Sequence, residues 1–143
     1  MLLKKAERRY HLATGDYGRL AAFRQVLREF LRFSEDAAGE LGLTAQHYQA
    51  MLVLRACPED QAVSINDLAR QLLIKHNSAV GLVDRLVAEK LVVRAPSAAD
   101  RRKVELRLSP RGRQVLAKLA AIHRQELERI GPLLSRLITA VRK

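Results

Sequence analysis

The chain has no tryptophan and only six aromatic residues, three Phe and three Tyr. So thin an aromatic inventory argues against a surface that stacks unpaired bases on rings. Its single cysteine, Cys57, allows no disulfide within the chain and points to a reducing compartment. No apolar run approaches the roughly 20 residues needed to span a bilayer. The opening Met-Leu-Leu-Lys-Lys-Ala-Glu-Arg-Arg lacks a signal peptide's apolar core. A cytoplasmic protein with no membrane partner is the expectation. A Gly-rich phosphate loop, a nucleophile elbow and metal-binding Cys/His spacing are also missing. His11, His47, His76 and His123 are scattered. We therefore expect no enzyme, no cofactor and no metal site.

Positive charge is what the chain has in excess. It carries 26 Lys and Arg against 15 Asp and Glu, a formal net charge of +11. Such a balance calls for a polyanion, either nucleic acid or an anionic surface of membrane or protein. Ser64 to Arg113 alone holds eleven of these cations against five carboxylates. The 143 residues suit one domain, and 48% hydrophobic content is enough for a core.

Residues 1–16 form a basic arm with Lys4, Lys5, Arg8 and Arg9. It is either a solvated tail or a strap that touches phosphates or a partner subunit. From about Tyr17 to Leu41, Leu20, Phe23, Leu27, Phe30, Leu31, Ser34, Ala37 and Ala38 recur at helical steps, ending near Gly39 and Gly42. Thr44 is placed to cap a second helix that stops before Pro58. Ser64, with Asp67 three residues on, opens a third in the manner of a capping box. A fourth runs from about Lys75 to Glu89 and buries Ala79, Leu82, Val83, Leu86 and Val87. Two short helices so joined make a helix-turn-helix, whose second helix enters a DNA major groove.

Leu91–Ala95 and Lys103–Leu108 then read as strands around a turn at Pro96–Arg102. Strict alternation puts Val104, Leu106 and Leu108 inward. Ser109-Pro110 starts a fifth helix. Gly131-Pro132 is expected to break or kink it before a final segment with Leu133, Leu134, Leu137, Ile138 and Val141. The terminal helices carry more apolar surface than a reader of about 65 residues needs, and a second subunit would use it.

Three motifs make the chain resemble the MarR-type (multiple antibiotic resistance regulator) winged-helix family. They are Leu43-Thr44-Ala45-Gln46-His47-Tyr48, Leu82-Val83-Asp84-Arg85-Leu86, and Asp100-Arg101-Arg102 followed by Leu108-Ser109-Pro110-Arg111-Gly112. The resemblance implies a mainly α fold with a small β-hairpin wing, a winged helix-turn-helix flanked by N- and C-terminal dimerisation helices. Residues 17–143 would be one domain, with dimerisation helices at 17–42 and 109–143 and the DNA-binding lobe at 43–108. It further implies a homodimer through the first, fifth and sixth helices, on a palindromic operator of double-stranded DNA. Repression, lifted by a small organic effector, aromatic or anionic, completes the picture. The family has Gly where Lys90 stands; Lys in the same left-handed geometry would cost about 1 kcal/mol.

Candidate DNA-binding residues follow. Lys75, His76, Asn77 and Ser78 open the recognition helix, where Asn can pair with adenine and Lys with guanine. Gly81 is either a point of close approach to DNA or a tolerated glycine. Arg70, Lys75 and Arg85 are phosphate clamps or plain surface charge. In the wing, Arg101, Arg102 and Lys103 face DNA, with Arg102 suited by resemblance to the minor groove and Asp100 orienting the turn. By resemblance, Arg24, Arg28, His47, Tyr48 and Met51 are candidates for an effector pocket, with core packing the alternative for Tyr48. Cys57 is either a small packing residue or a redox trigger.

Overall fold

A computed structural model gives the fold and describes Leu3 and residues 12–142. The basic residues of the expected arm, Lys4, Lys5, Arg8 and Arg9, and also His11, lie outside the described residues. In chain order the elements are α1 (Thr14–Gly39), α2 (Ala45–Ala56), α3 (Ile65–Leu72), α4 (His76–Ala88), β1 (Val92–Pro96), β2 (Val104–Leu108) and α5 (Pro110–Arg142). This is a mainly α fold with a two-stranded antiparallel hairpin, as expected. The chain divides into two compact units, one of residues 34–124 and one of the described residues that flank them. No described helix is long and apolar enough to cross a membrane.

The larger unit is built on caps that the sequence announces. Thr44 caps α2, and its side chain accepts from the His47 N–H at 3.3 Å. The return bond is unusual, since His47 Nδ1 accepts from the Thr44 N–H at 2.9 Å. Ser64 and Asp67 form the expected box on α3, with the Ser64 N–H 3.0 Å from Asp67 Oδ2. Inside, Met51, Leu68, Val83, Leu86, Val92 and Leu119 are almost wholly buried. These residues come from α2, α3, α4, β1 and α5, so the two helices of the reader are fixed from behind.

The hairpin pairs Val92 with Leu108 and Pro96 with Val104. Val63 adds an isolated bridge, accepting the Leu106 N–H at 2.8 Å. The strict inward alternation fails at the far end. Val104, expected inside, is 47% exposed, while Glu105 is buried against Arg107, whose Nε lies 3.1 Å from Oε1. Near the hairpin's tip there is no core for Val104 to face, so alternation no longer sorts buried from wet.

Among the described residues, two that are not glycine hold left-handed backbone: Leu73, the C-cap of α3, at φ 56° and Lys90, just past α4, at φ 60°. The cost expected for Lys90 is therefore present, and Leu73 adds a second of about 1 kcal/mol. Lys90 is stitched down by its carbonyl, which accepts from Ser109 Oγ at 2.6 Å.

In the smaller unit, α1 begins at Thr14, three residues before the sequence suggested. Asp16 explains the early start, accepting the Ala13 N–H at 2.9 Å and holding Arg19 at 3.1 Å. The apolar stripe is only partly covered within the chain: Leu20, Leu27 and Leu31 are exposed, while Ser34, Ala37 and Ala38 farther along α1 are buried, as is Val26. The expected interruption at Gly131-Pro132 does not separate a sixth helix, because α5 continues through Pro132.

Candidate nucleic-acid interface

The start of α4 is where the polar and apolar faces part most cleanly. Ala79, Leu82, Val83 and Leu86 are buried. Lys75, His76, Asn77, Ser78 and Gly81 are exposed on the other side. Lys75 is the N-cap and makes no side-chain capping bond, so the positive end of the helix dipole is met by no carboxylate in its first turn. A Cβ at Gly81 would meet nothing within 4 Å, so packing inside the chain does not demand glycine there.

Side chains brace this helix on both flanks. His76 Nδ1 lies 2.6 Å from Asn66 Oδ1 of α3. An amide oxygen only accepts, so Nδ1 carries the hydrogen and Nε2 is left as the outward edge. On the other flank Arg94 of β1 pairs with Asp84 of α4, which ties the wing to the reading helix. Neither Asn66 nor Arg94 stood out in the sequence. The signal available was the outward position of each beside a complementary group ten residues away, a spacing that only the turn between their two elements brings together.

The cations are not equally available. Arg85 donates to the Gly42 carbonyl at 3.2 Å and pairs with Glu89 at 3.3 Å, so its head is already engaged. Arg70 pairs with Asp67 and remains 75% exposed. Arg101, Arg102 and Lys103 are exposed at the wing tip. Asp100 shapes that tip: its Oδ1 accepts the Arg102 N–H at 3.0 Å and its carbonyl the Lys103 N–H at 3.0 Å. Between α3, the start of α4 and the wing lies a cleft of about 650 Å³ whose walls include Arg70, His76, Asp100 and Lys103. The structure thus brings Arg70, His76, Asp100 and Lys103 to one cleft, with Lys75, Asn77 and Ser78 on the adjoining helix start.

The five candidates for an effector pocket fare differently. Arg24 and Arg28 are exposed on α1, where Arg28 donates to Gln25 at 2.9 Å. Met51 is fully buried, and Tyr48 is stacked on His123 with centroids 4.1 Å apart. His123 is itself held by Leu119 O at 2.7 Å and Ser34 Oγ at 2.8 Å. For Tyr48 the stack is the packing that the sequence offered as its alternative role, and Met51 is part of the same core. Cys57 is half-buried and packs against the core, with Sγ 3.8 Å from the Gln61 carbonyl. Among the described residues no group of three or more metal-binding side chains gathers.

His47 has a further consequence. Burial, then the nearby Arg85 charge, pushes its pKa below the ordinary 6.5, against weaker opposing pulls from Glu35 and Glu89. Its Nδ1 is also the acceptor that completes the α2 cap. The unfolded chain therefore takes up the proton first as pH falls, and stability contributed above about 6.5 is lost below it. His47→Gln keeps an acceptor at the same cap position without the titration. Urea midpoints at pH 7.5 and 5.0 should fall further for the native chain than for His47→Gln; equal falls would exclude His47 as the source.

Comparison with known proteins agrees with this geometry. Residues 41–103 match the model of the MarR family. No protein of curated function matches the chain. Among solved structures, a MepR mutant from Staphylococcus aureus bound to an oligodeoxyribonucleotide is 20% identical, with a TM-score of 0.67 over 85% of this chain and 96% of that one. AbsC, a MarR family transcriptional regulator from Streptomyces coelicolor, is 22% identical with a TM-score of 0.70, covering 84% and 80% of the two chains. The multiple antibiotic-resistance repressor of Listeria monocytogenes is 24% identical with a TM-score of 0.67, covering 93% and 99%. At such identities these likenesses speak to the fold, which is that of winged-helix proteins.

Proposed function

Residues 41–103 match the model of the MarR family, and on that premise we propose that the chain is a sequence-specific, duplex-DNA-binding transcriptional regulator. One observation carries the reading. The face of α4 opposite its buried residues presents Lys75, His76, Asn77 and Ser78 to solvent at the helix start. Bases are read from that end in helix-turn-helix proteins. The wing supports it with Arg101, Arg102 and Lys103 exposed at its tip. Of the remaining candidates, Arg70 and Lys75 serve as phosphate contacts, and Gly81 lets the helix lie close to the duplex. Arg85, engaged with Gly42 and Glu89, acts by holding α4 rather than by meeting phosphate.

In the finer reading the protein is a homodimeric repressor acting in the cytoplasm. Residues 17–143 serve as one domain, with 17–42 and 109–143 pairing the subunits and 43–108 reading DNA. Apolar side chains left wet in the smaller unit, among them Tyr17, Leu20, Leu31, Leu133 and Ile138, support the pairing, since a partner subunit would cover them. Release by a small organic effector, aromatic or anionic, rests on the family resemblance.

Selection from a pool of random duplexes tests the core of this. The protein should enrich an inverted repeat whose half-sites lie about 34–36 Å apart, and sedimentation should give twice the mass of the chain. Equal affinity for enriched and unselected duplexes would identify a basic module that docks on anionic surfaces without reading sequence.

A further inference from the structure

Leu73 is the most exposed large apolar residue among those described, with 91% of its surface wet. It also sits at φ 56°, ψ 41°, the left-handed region that side chains bearing a Cβ avoid. Glycine would remove both penalties at once, and the turn of a helix-turn-helix is a usual place for glycine. A side chain so exposed gives the fold almost no packing. Its surroundings say what it could meet. Arg70, Lys75 and His76 are exposed on either side of it in the chain, and Lys75, two residues on, is the N-cap of α4. A bare leucine between the cations Arg70 and Lys75 complements a surface where phosphates border an apolar group. On the major-groove edge of a duplex, that group is the C5 methyl of thymine.

We propose that Leu73 is a specificity-determining residue, packing on a thymine methyl at the rim of the major groove entered by α4. This rests on the DNA-binding reading above. The left-handed turn and the exposed side chain then share one explanation, since the leucine is covered only when DNA is bound.

The test uses the full chain and the duplex it enriches from the random pool. Leu73→Gly should unfold at higher denaturant than the native chain yet bind that duplex about tenfold more weakly, as expected for a leucine that loses its cover. Lys90→Gly relieves the same backbone strain just past α4, and should gain stability while binding as the native chain does. Thymines replaced one at a time by deoxyuridine should reveal a position where the lost methyl weakens native binding about three- to fivefold. At that position Leu73→Gly should show no such loss. Native affinity in Leu73→Gly would overturn the proposal, as would an equal deoxyuridine penalty in both proteins. If the native chain enriches no sequence at all, the regulator reading falls and the Leu73 contact falls with it.

Discussion

Gly112→Ala should cost the protein about 3–5 kcal/mol of stability, at or beyond the upper end of what overpacking costs. Gly112 lies in the first turn of α5, and a Cβ there would stand 2.0 Å from the Leu91 carbonyl oxygen and 3.0 Å from its carbon. The obstacle is backbone, so no rotamer change relieves it. Nor is that carbonyl free to swing aside, because it accepts the Ser109 N–H at 3.0 Å. Leu91 is tied in turn by its own N–H to the Leu86 carbonyl at 2.9 Å. Moving α5 away would also break the bond from Ser109 to the Lys90 carbonyl and uncover Leu116 and Leu119, which are 3% and 2% exposed. Against a total of roughly 5–15 kcal/mol for a domain, such a loss is a large share. Gly81→Ala is the matched control, since its Cβ meets nothing within 4 Å and alanine favours helix by up to about 1 kcal/mol. Denaturant midpoints of the two variants should move in opposite directions. A native midpoint for Gly112→Ala would mean the α4–β1 junction yields in a way its bonds do not suggest.

That clash also marks where sequence reading runs out. Leu108 to Gly112 was legible as a helix start, because Ser followed by Pro has a local meaning. The need for Gly112 was not, since it arises from a carbonyl 21 residues earlier. The same divide runs through the chain. Ser64 with Asp67 and the buried face of α4 are local or periodic, and the structure has them where the residues put them. Val104 misled because alternation assumes a core on one side along the whole strand, and the hairpin outruns it. Leu20, Leu27 and Leu31 lie on the helix their period called for and stay exposed within the chain, part of the apolar surplus that the terminal helices carry. In the candidate interface the exposure of Lys75 to Ser78 followed from period alone. Which arginines are already engaged did not, because Arg85 spends its donors on Gly42, 43 residues away.

On its enriched duplex, Asn77→Ala should lose about 1–3 kcal/mol of binding and relax preference at one base position per half-site, the effect of losing a bidentate contact to adenine. Asn77 is exposed on the first turn of α4, beside a ring that Asn66 holds in place. Its removal should therefore leave folding nearly untouched, so that binding alone reports the change. Arg102→Ala gives the contrasting case. The wing tip is shaped by Asp100 through the Arg102 backbone N–H, which alanine retains, so only the guanidinium is lost. If that group neutralises a phosphate, affinity should fall on every duplex and the salt slope should drop by about 0.9. If it enters a narrow minor groove, the loss should be greatest on A·T-rich flanks. The two variants thus separate by kind as well as size: Asn77→Ala changes which sequence is preferred at constant salt slope, and Arg102→Ala leaves the base preference at the half-site centres unchanged. An unaltered preference in Asn77→Ala would remove that residue from the reading face and pass the role to Lys75, His76 or Ser78.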